Sequence, residues 1–305
     1  MAAYTGYLFV HFTGEEKLGE QIYFALSRDG LHWMDLNEGK PVLVSDIGEA
    51  GVRDPFILRN PLNGKYVIHA TDLRIEAGKG WTAAQEEGSR NLIVWESEDM
   101  VNWAGPFCAE VGIPEAGCVW APEAIFDEKK QAFLVFWASK VKEPGDTESK
   151  QRIYASYTTD FHAFTEPVKY QEGENHIIDT TILKAGDYYY RFSKDENEKN
   201  IRLEKSRSLD KDSFTEVYAP VLNALAGVEG PASFRFNDRE EWCVLVDRFA
   251  EGKGYLPLFS PDFGSGEFRI PEESEYDLGK SKKRHGSVLN LTEEEFQALE
   301  GKWGK

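Results

Sequence analysis

Cysteine is scarce: Cys108, Cys118 and Cys243 are odd in number and lack the spacing of a zinc site or a disulfide framework. They are read as reduced and mostly buried. Long apolar runs are missing too, and nothing approaches the roughly 18 consecutive apolar residues of a bilayer span. The start of the chain, Met1 to Gly6, has no basic segment, and the apolar run Tyr7 to Phe12 is too short for a secretory signal. These absences lead to an expectation of a cytoplasmic protein with no membrane partner. Positive charge is in deficit, with 35 Lys and Arg against 53 Asp and Glu and a formal net charge of -18. Such a surface repels nucleic-acid phosphates and anionic headgroups, so a neutral substrate suits it better. Helical periodicity is confined to Thr292–Trp303, where Thr292 followed by Glu295 forms a capping-box signature. A Rossmann-type fold is excluded because it needs long helices between its strands.

Aromatic residues, by contrast, reach 13%, which favours strands and stacking surfaces. One pattern recurs five times: an alternating strand, a small hydroxyl residue, a short spacer, an aspartate, then an aromatic. It runs through Asp29 with Trp33, Asp99 with Trp103, Asp160 with Phe164, Asp210 with Phe214 and Asp262 with Phe268, the fourth copy carrying an insertion. The aspartates lie 50 to 70 residues apart, the length of a four-stranded propeller blade with variable loops. Between the copies lie pairs of alternating segments joined by turn residues, such as Phe56–Arg59 and Tyr66–Ala70 around Asn60-Pro61-Leu62-Asn63-Gly64. Four blades follow in this way. The fifth must be assembled from both ends, with Gly286–Leu291 joining Tyr7–Phe12 and Ile22–Leu26. The expected architecture is all-β: a five-bladed β-propeller of four-stranded blades, closed by its N- and C-terminal strands, with a short C-terminal helix. Residues 1–305 form a single catalytic domain on this reading.

A propeller gathers the innermost strand of each blade around one axis, so residues near the starts of those strands converge. Five starts can be read: Arg53-Asp54-Pro55, Trp120-Ala121-Pro122-Glu123, Ile178-Asp179-Thr180-Thr181, Glu229-Gly230-Pro231 and Arg284-His285-Gly286. Four carry an acid and the fifth a histidine.

In these motifs the chain resembles glycoside hydrolase family 43, a likeness that extends over nearly its whole length. The resemblance implies a five-bladed propeller with Asp54 as general base and Glu229 as general acid. Asp179, in Ile-Asp-Thr-Thr where many relatives have Asp-Pro-Ser, becomes the carboxylate that tunes and orients the acid. Trp120-Ala121-Pro122-Glu123 is similar to the family's Trp-Ala-Pro-acid motif. His285 matches an axial histidine facing a central water or calcium site, and no other cofactor is implied. About fifty residues precede Arg53, where many relatives begin nearly at the base; end-to-end closure accounts for this as a different starting point around the ring. Inversion needs one carboxylate to activate water and a protonated one to serve the leaving oxygen. Repulsion from Asp179 is expected to keep Glu229 neutral.

Trp81, in the long loop after Asp72, is a candidate for the pocket rim. Trp120 either stacks on a sugar face or packs in the core. Arg53, Arg191 and Arg248 are candidates to bond sugar hydroxyls or to hold the carboxylates, and His285 either joins an axial water or metal site or only bonds its neighbours. The resemblance favours an exo-acting α-L-arabinofuranosidase on plant-derived oligosaccharides. A β-xylosidase or exo-galactanase of the same family, a non-catalytic sugar-binding propeller and a retaining fructan-cleaving relative stand as alternatives.

Overall fold

The alternating segments become strands, and a computed structural model describes residues 3–304. The first sheet takes β1 (Tyr4–His11), β2 (Tyr23–Ser27) and β3 (Trp33–Asp35). The next has β4 (Val52–Arg59), β5 (Tyr66–Asp72), β6 (Asn91–Ser97) and β7 (Trp103–Glu110). It is followed by β8 (Trp120–Asp127), β9 (Ala132–Val141), β10 (Lys150–Thr158) and β11 (Val168–Gln171), then by β12 (Ile177–Ala185), β13 (Tyr188–Asp195), β14 (Asn200–Ser206) and β15 (Thr215–Glu216). The last sheet has β16 (Glu229–Arg235), β17 (Trp242–Asp247) and β18 (Tyr255–Ser260), after which β19 (Gly286–Thr292) returns to the first sheet and pairs with β1. The inner strands touch in the cyclic order β4, β8, β12, β16, β19 and back to β4, a closed ring of five blades. Closure by both chain ends thus takes the expected form, in the order β19-β1-β2-β3.

Four sheets have four strands, whereas the β16–β18 sheet has three and only a single bridge, Phe259 to Arg269, where its outer strand would lie. Gly264, Gly266 and Pro271 leave too short an extended run there for a strand. Aromatic layers fill the space between neighbouring sheets. Phe133, Trp137 and Phe161 pack in one such layer, Phe192, Phe263 and Val244 in another, and Tyr7, Phe9 and Phe234 in a third. Each fully buried side chain of this size contributes about 2–3 kcal/mol of transfer free energy.

The recurring aspartate follows the third strand of every blade. Asp29 accepts from the backbone N–H of Leu31 and His32, Asp99 from Val101 and Asn102, and Asp160 from His162 and Ala163. Each closes a turn through its own carboxylate, as short polar side chains do. A second regularity lies in the inner strands. The register of β4, β8, β12 and β16 slips between Arg53 and Phe56, Trp120 and Glu123, Ile178 and Thr181, and Glu229 and Ala232. At each slip one residue takes a left-handed backbone: Asp54 (φ 51°), Ala121 (φ 46°), Asp179 (φ 49°) and Gly230 (φ 52°). Such bulges re-aim side chains, and a non-glycine residue held this way costs about 1–3 kcal/mol.

Three α-helices are present among the described residues: α1 (Trp81–Glu86), α2 (Pro220–Ala224) and α3 (Glu293–Trp303). The first two are too short to leave a helical period in the sequence. None is long and apolar enough to cross a membrane. At α3 both halves of the capping box form, with Glu295 Oε2 accepting from the Thr292 N–H at 2.7 Å and Thr292 Oγ1 from the Glu295 N–H at 3.4 Å. Glu295 also receives Arg59 at 2.9 and 2.6 Å, which ties the helix to β4. Thr292→Ala is expected to cost about 1 kcal/mol, and thermal unfolding followed by circular dichroism should show Tm falling by roughly 2–4 °C.

Candidate active site

The bulges place Asp54 and Asp179 at equivalent positions of two blades, and both turn toward His285, which precedes β19. His285 Nδ1 lies 3.4 Å from Asp54 Oδ1 and 3.9 Å from Asp179 Oδ1, and Nε2 lies 4.0 Å from Glu123 Oε1. Burial alone would lower the pKa of this imidazole, but Asp179, Asp54 and Glu123 outweigh it and push the pKa well above the usual histidine range. The three carboxylates thus favour the protonated imidazole at the floor of the pocket. Asp54 accepts from Thr71 Oγ1 at 2.8 Å. Burial would raise its pKa, but His285, Arg53 and Thr71 together hold it below the ordinary aspartate value. A buried carboxylate kept ionised in this way suits a proton acceptor.

Glu229 sits one residue before its bulge glycine, and its two oxygens are both capped. Lys194 Nζ donates to Oε2 at 2.8 Å and Arg284 Nη2 to Oε1 at 2.9 Å. Arg284 also bonds the buried Asp247 through Nε. Burial would raise the Glu229 pKa, but Lys194, Arg284 and Arg53 outweigh it and lower it. Asp179 goes the other way, to about 6, through burial first, with His285 opposing and Glu229 repelling. At Glu229 the neighbouring cations thus outweigh both burial and repulsion from Asp179. The Gly230 N–H donates to Asp179 Oδ2 at 3.0 Å and so links the two strands.

Above these groups opens a cavity of about 630 Å³ whose polar floor holds Asp54, Asp179, Glu229 and His285. Trp81, Trp120 and Phe249 supply aromatic walls. Trp81 is 46% exposed at the rim and meets Trp120 edge-on at 6.0 Å. Arg53 is buried and donates to Glu15 at 2.7 Å and Glu20 at 3.0 Å, with the Trp81 ring 5.0 Å from its guanidinium. Glu123 lies two residues past its bulge, is buried beside His285 and does not line the cavity; burial pushes its pKa up to about 7. Both ring nitrogens of His285 face carboxylates, and among the described residues no three His, Cys, Asp or Glu side chains are disposed to hold a metal.

A family model described as a "probable glycosyl hydrolase domain", related to glycoside hydrolase family 43, matches residues 2–297. The chain belongs to this family. The family-43-related domain is 33% identical over 292 residues to an α-L-arabinofuranosidase of Bifidobacterium longum subsp. longum, an alignment covering 81% of this chain and 27% of that protein. It therefore spans about a quarter of that relative's length. Among solved structures it resembles an α-L-arabinanase of Cellvibrio cellulosa complexed with arabinohexaose (TM-score 0.58, 12% identity, covering 92% of this chain and 99% of the other). It also resembles a family-43 protein from Bacillus licheniformis (TM-score 0.57, 17% identity, 91% and 57%). At these identities the structural likeness speaks to the fold.

Two arginines do not reach the pocket of the family-43-related domain. Arg191 lies lower on β13, where its cross-strand partner Glu204 takes both Nε and Nη2, at 2.8 and 2.9 Å, and the guanidinium sits 4.1 Å from the Phe214 ring. Arg248 bonds the carbonyls of Gly254 and Tyr255, both at 3.3 Å, and its neighbour Phe249 is the one that lines the cavity. Cys108 is exposed, whereas Cys118 and Cys243 are buried as expected. The groups that sequence reasoning missed are Lys194, Arg284, Asp247 and Glu15. Thr71, Lys194 and Asp247 lie directly across from Arg53, Ile178 and Glu229, one per blade on the second strand. The bulge between each turn and these pairs puts them one position off a plain count along the hairpin, so the sequence pattern alone does not pair them.

Proposed function

We propose that this chain is an inverting, exo-acting glycoside hydrolase that removes terminal α-L-arabinofuranosyl units from plant-derived oligosaccharides. The observation that carries the reading is the gathering of Asp54, Asp179 and Glu229 on the floor of one aromatic-walled cavity around His285. Asp54, held ionised, takes a proton from the attacking water. Glu229, when protonated, gives one to the leaving oxygen, and Asp179 orients the Glu229–Gly230 turn. Trp81 and Trp120 offer apolar faces to the sugar rings. Similarity to the Bifidobacterium longum arabinofuranosidase favours arabinose over xylose or galactose. A cytoplasmic site of action accords with three free thiols, two of them buried, and cell fractionation checks it.

The test is a panel of 4-nitrophenyl glycosides with the product anomer followed by NMR. Release from the α-L-arabinofuranoside with inverted configuration is expected. Turnover of the β-xyloside or β-galactoside alone would transfer the reading to those sugars, retention would exclude the mechanism, and no turnover with measurable sugar binding would leave a binding propeller.

A further inference from the structure

The sequence motifs bring three carboxylates to the pocket, but the structure adds a lysine where none was expected. Lys194 lies at the end of β13, buried, with the Phe249 ring 4.2 Å from its ammonium. Its Nζ is 2.8 Å from Glu229 Oε2, while Arg284 occupies Oε1 at 2.9 Å. No oxygen of Glu229 is therefore left without a cationic partner. The proton that Glu229 gives to a leaving-group oxygen must therefore be carried on an oxygen that already accepts from a cation.

We propose that Lys194 is a positioning residue for the hydrolysis: with Arg284 it caps Glu229, and it sets the pH above which this side chain ceases to be a proton donor. The proposal rests on the reading of Glu229 as the acid. The charges facing Glu229 come from every strand around it. Lys194 on β13, Arg284 before β19 and Arg53 on β4 favour its anion, and Asp179 on β12 and Asp247 on β17 repel it. Of the three cations, Arg284 is shared with Asp247 and, at 3.7 Å, with Glu15, and Arg53 with Glu15 and Glu20. Lys194 is shared with Glu196 at 2.7 Å, a rim side chain of the same cavity. It is also the one cation at Oε2, the oxygen that Arg284 does not reach.

The sign follows directly. A general acid works only while protonated, so kcat/KM falls as pH rises through the pKa of Glu229 in the free enzyme. Removing the ammonium removes a stabiliser of the anion, the carboxyl holds its proton to higher pH, and the basic limb moves up. An opposite charge at hydrogen-bond distance shifts a carboxyl by about one unit or more, so Lys194→Met should carry the limb upward by about one pH unit, with about tenfold more activity at a fixed pH on that limb. The acid limb, set by Asp54, stays where it is. Lys194→Arg, which keeps the charge, leaves the basic limb in place.

Two measurements test this. The first is the pH profile of kcat/KM for wild type, Lys194→Met, Lys194→Gln and Lys194→Arg, each first shown to unfold cooperatively; Lys194→Gln serves if the methionine variant does not fold. The second is 13C NMR titration of protein labelled at the glutamate side-chain carboxyls, with the Glu229 signal assigned by its absence from Glu229→Gln. The titration midpoint should rise in both neutral variants and stay put in the arginine variant. If wild type hydrolyses glycosides, Glu229→Gln is inactive and neither limb nor midpoint moves in the neutral variants, the role given to Lys194 is wrong. If no glycoside is cleaved but the midpoint moves, the hydrolase reading falls and the Lys194–Glu229 coupling stands.

Discussion

Asp54→Asn should lower kcat/KM for an aryl α-L-arabinofuranoside by about three orders of magnitude, within the 10²–10⁴-fold that a positioned general base supplies. The amide has nearly the same shape but cannot take a proton from water. Backbone strain does not confuse the result, because asparagine tolerates the left-handed conformation that Asp54 holds at φ 51° better than most residues. The Thr71 hydroxyl, which now donates to Asp54 at 2.8 Å, can donate equally to an amide oxygen. The variant should accordingly fold, with a normal far-UV spectrum and a cooperative transition, while turnover collapses. KM should change little, since the lost step follows binding. If a tenth or more of the wild-type kcat survives, Asp54 is not the base. Substitution by alanine is the poorer experiment, since it removes the carboxylate from His285 and adds a cavity to the loss of chemistry.

Motif and geometry diverge at the inner strands. Four acids could be named from the sequence, and three of them line one cavity. Their equivalence could not be read, because lining up the acids hides the bulges. Asp54 and Asp179 occupy the left-handed position, Glu229 precedes it by one residue and Glu123 follows it by two. That offset sends Glu123 below the floor and leaves Glu229 between Asp247 on its own blade's β17 and Lys194 on β13 of the preceding blade. Proline after Asp54, Ala121 and Gly230 is the local trace of the bulge, but threonine stands after Asp179 and obscures the series. The blade repeat was legible because it rests on side chains that bond their own backbone within three residues. Arg191 stays away from the cavity because depth along a strand depends on register with its neighbour, which composition does not reveal, and Arg248 because it falls just past the end of β17, where its guanidinium turns to the Gly254 and Tyr255 carbonyls.

The ring depends on its closing strand, and Gly286→Val should reveal how much. Gly286 pairs with His11 across the seam between β19 and β1. A Cβ on it would lie 2.1 Å from the Val10 carbonyl oxygen and 2.8 Å from the His11 Cα, both backbone atoms that cannot rotate away. The seam must open to admit a side chain, and a β-branched one asks for the most room. Opening it would strain the hydrogen bond that the Gly286 N–H gives to Tyr255 Oη at 2.9 Å, at the boundary with the adjoining blade. A cost of about 3 kcal/mol, or roughly 5–10 °C in Tm, is expected for such overpacking in a domain of this size. Activity will fall too, because His285 is the preceding residue, so the reading must come from thermal or denaturant unfolding. Gly301 supplies the contrast, since a Cβ there meets nothing within 4 Å and it lies inside α3. Gly301→Ala should leave Tm unchanged or raise it by the helix propensity gained, up to about 1 kcal/mol. A Gly286→Val protein as stable as wild type would mean that the two chain ends do not hold the propeller shut.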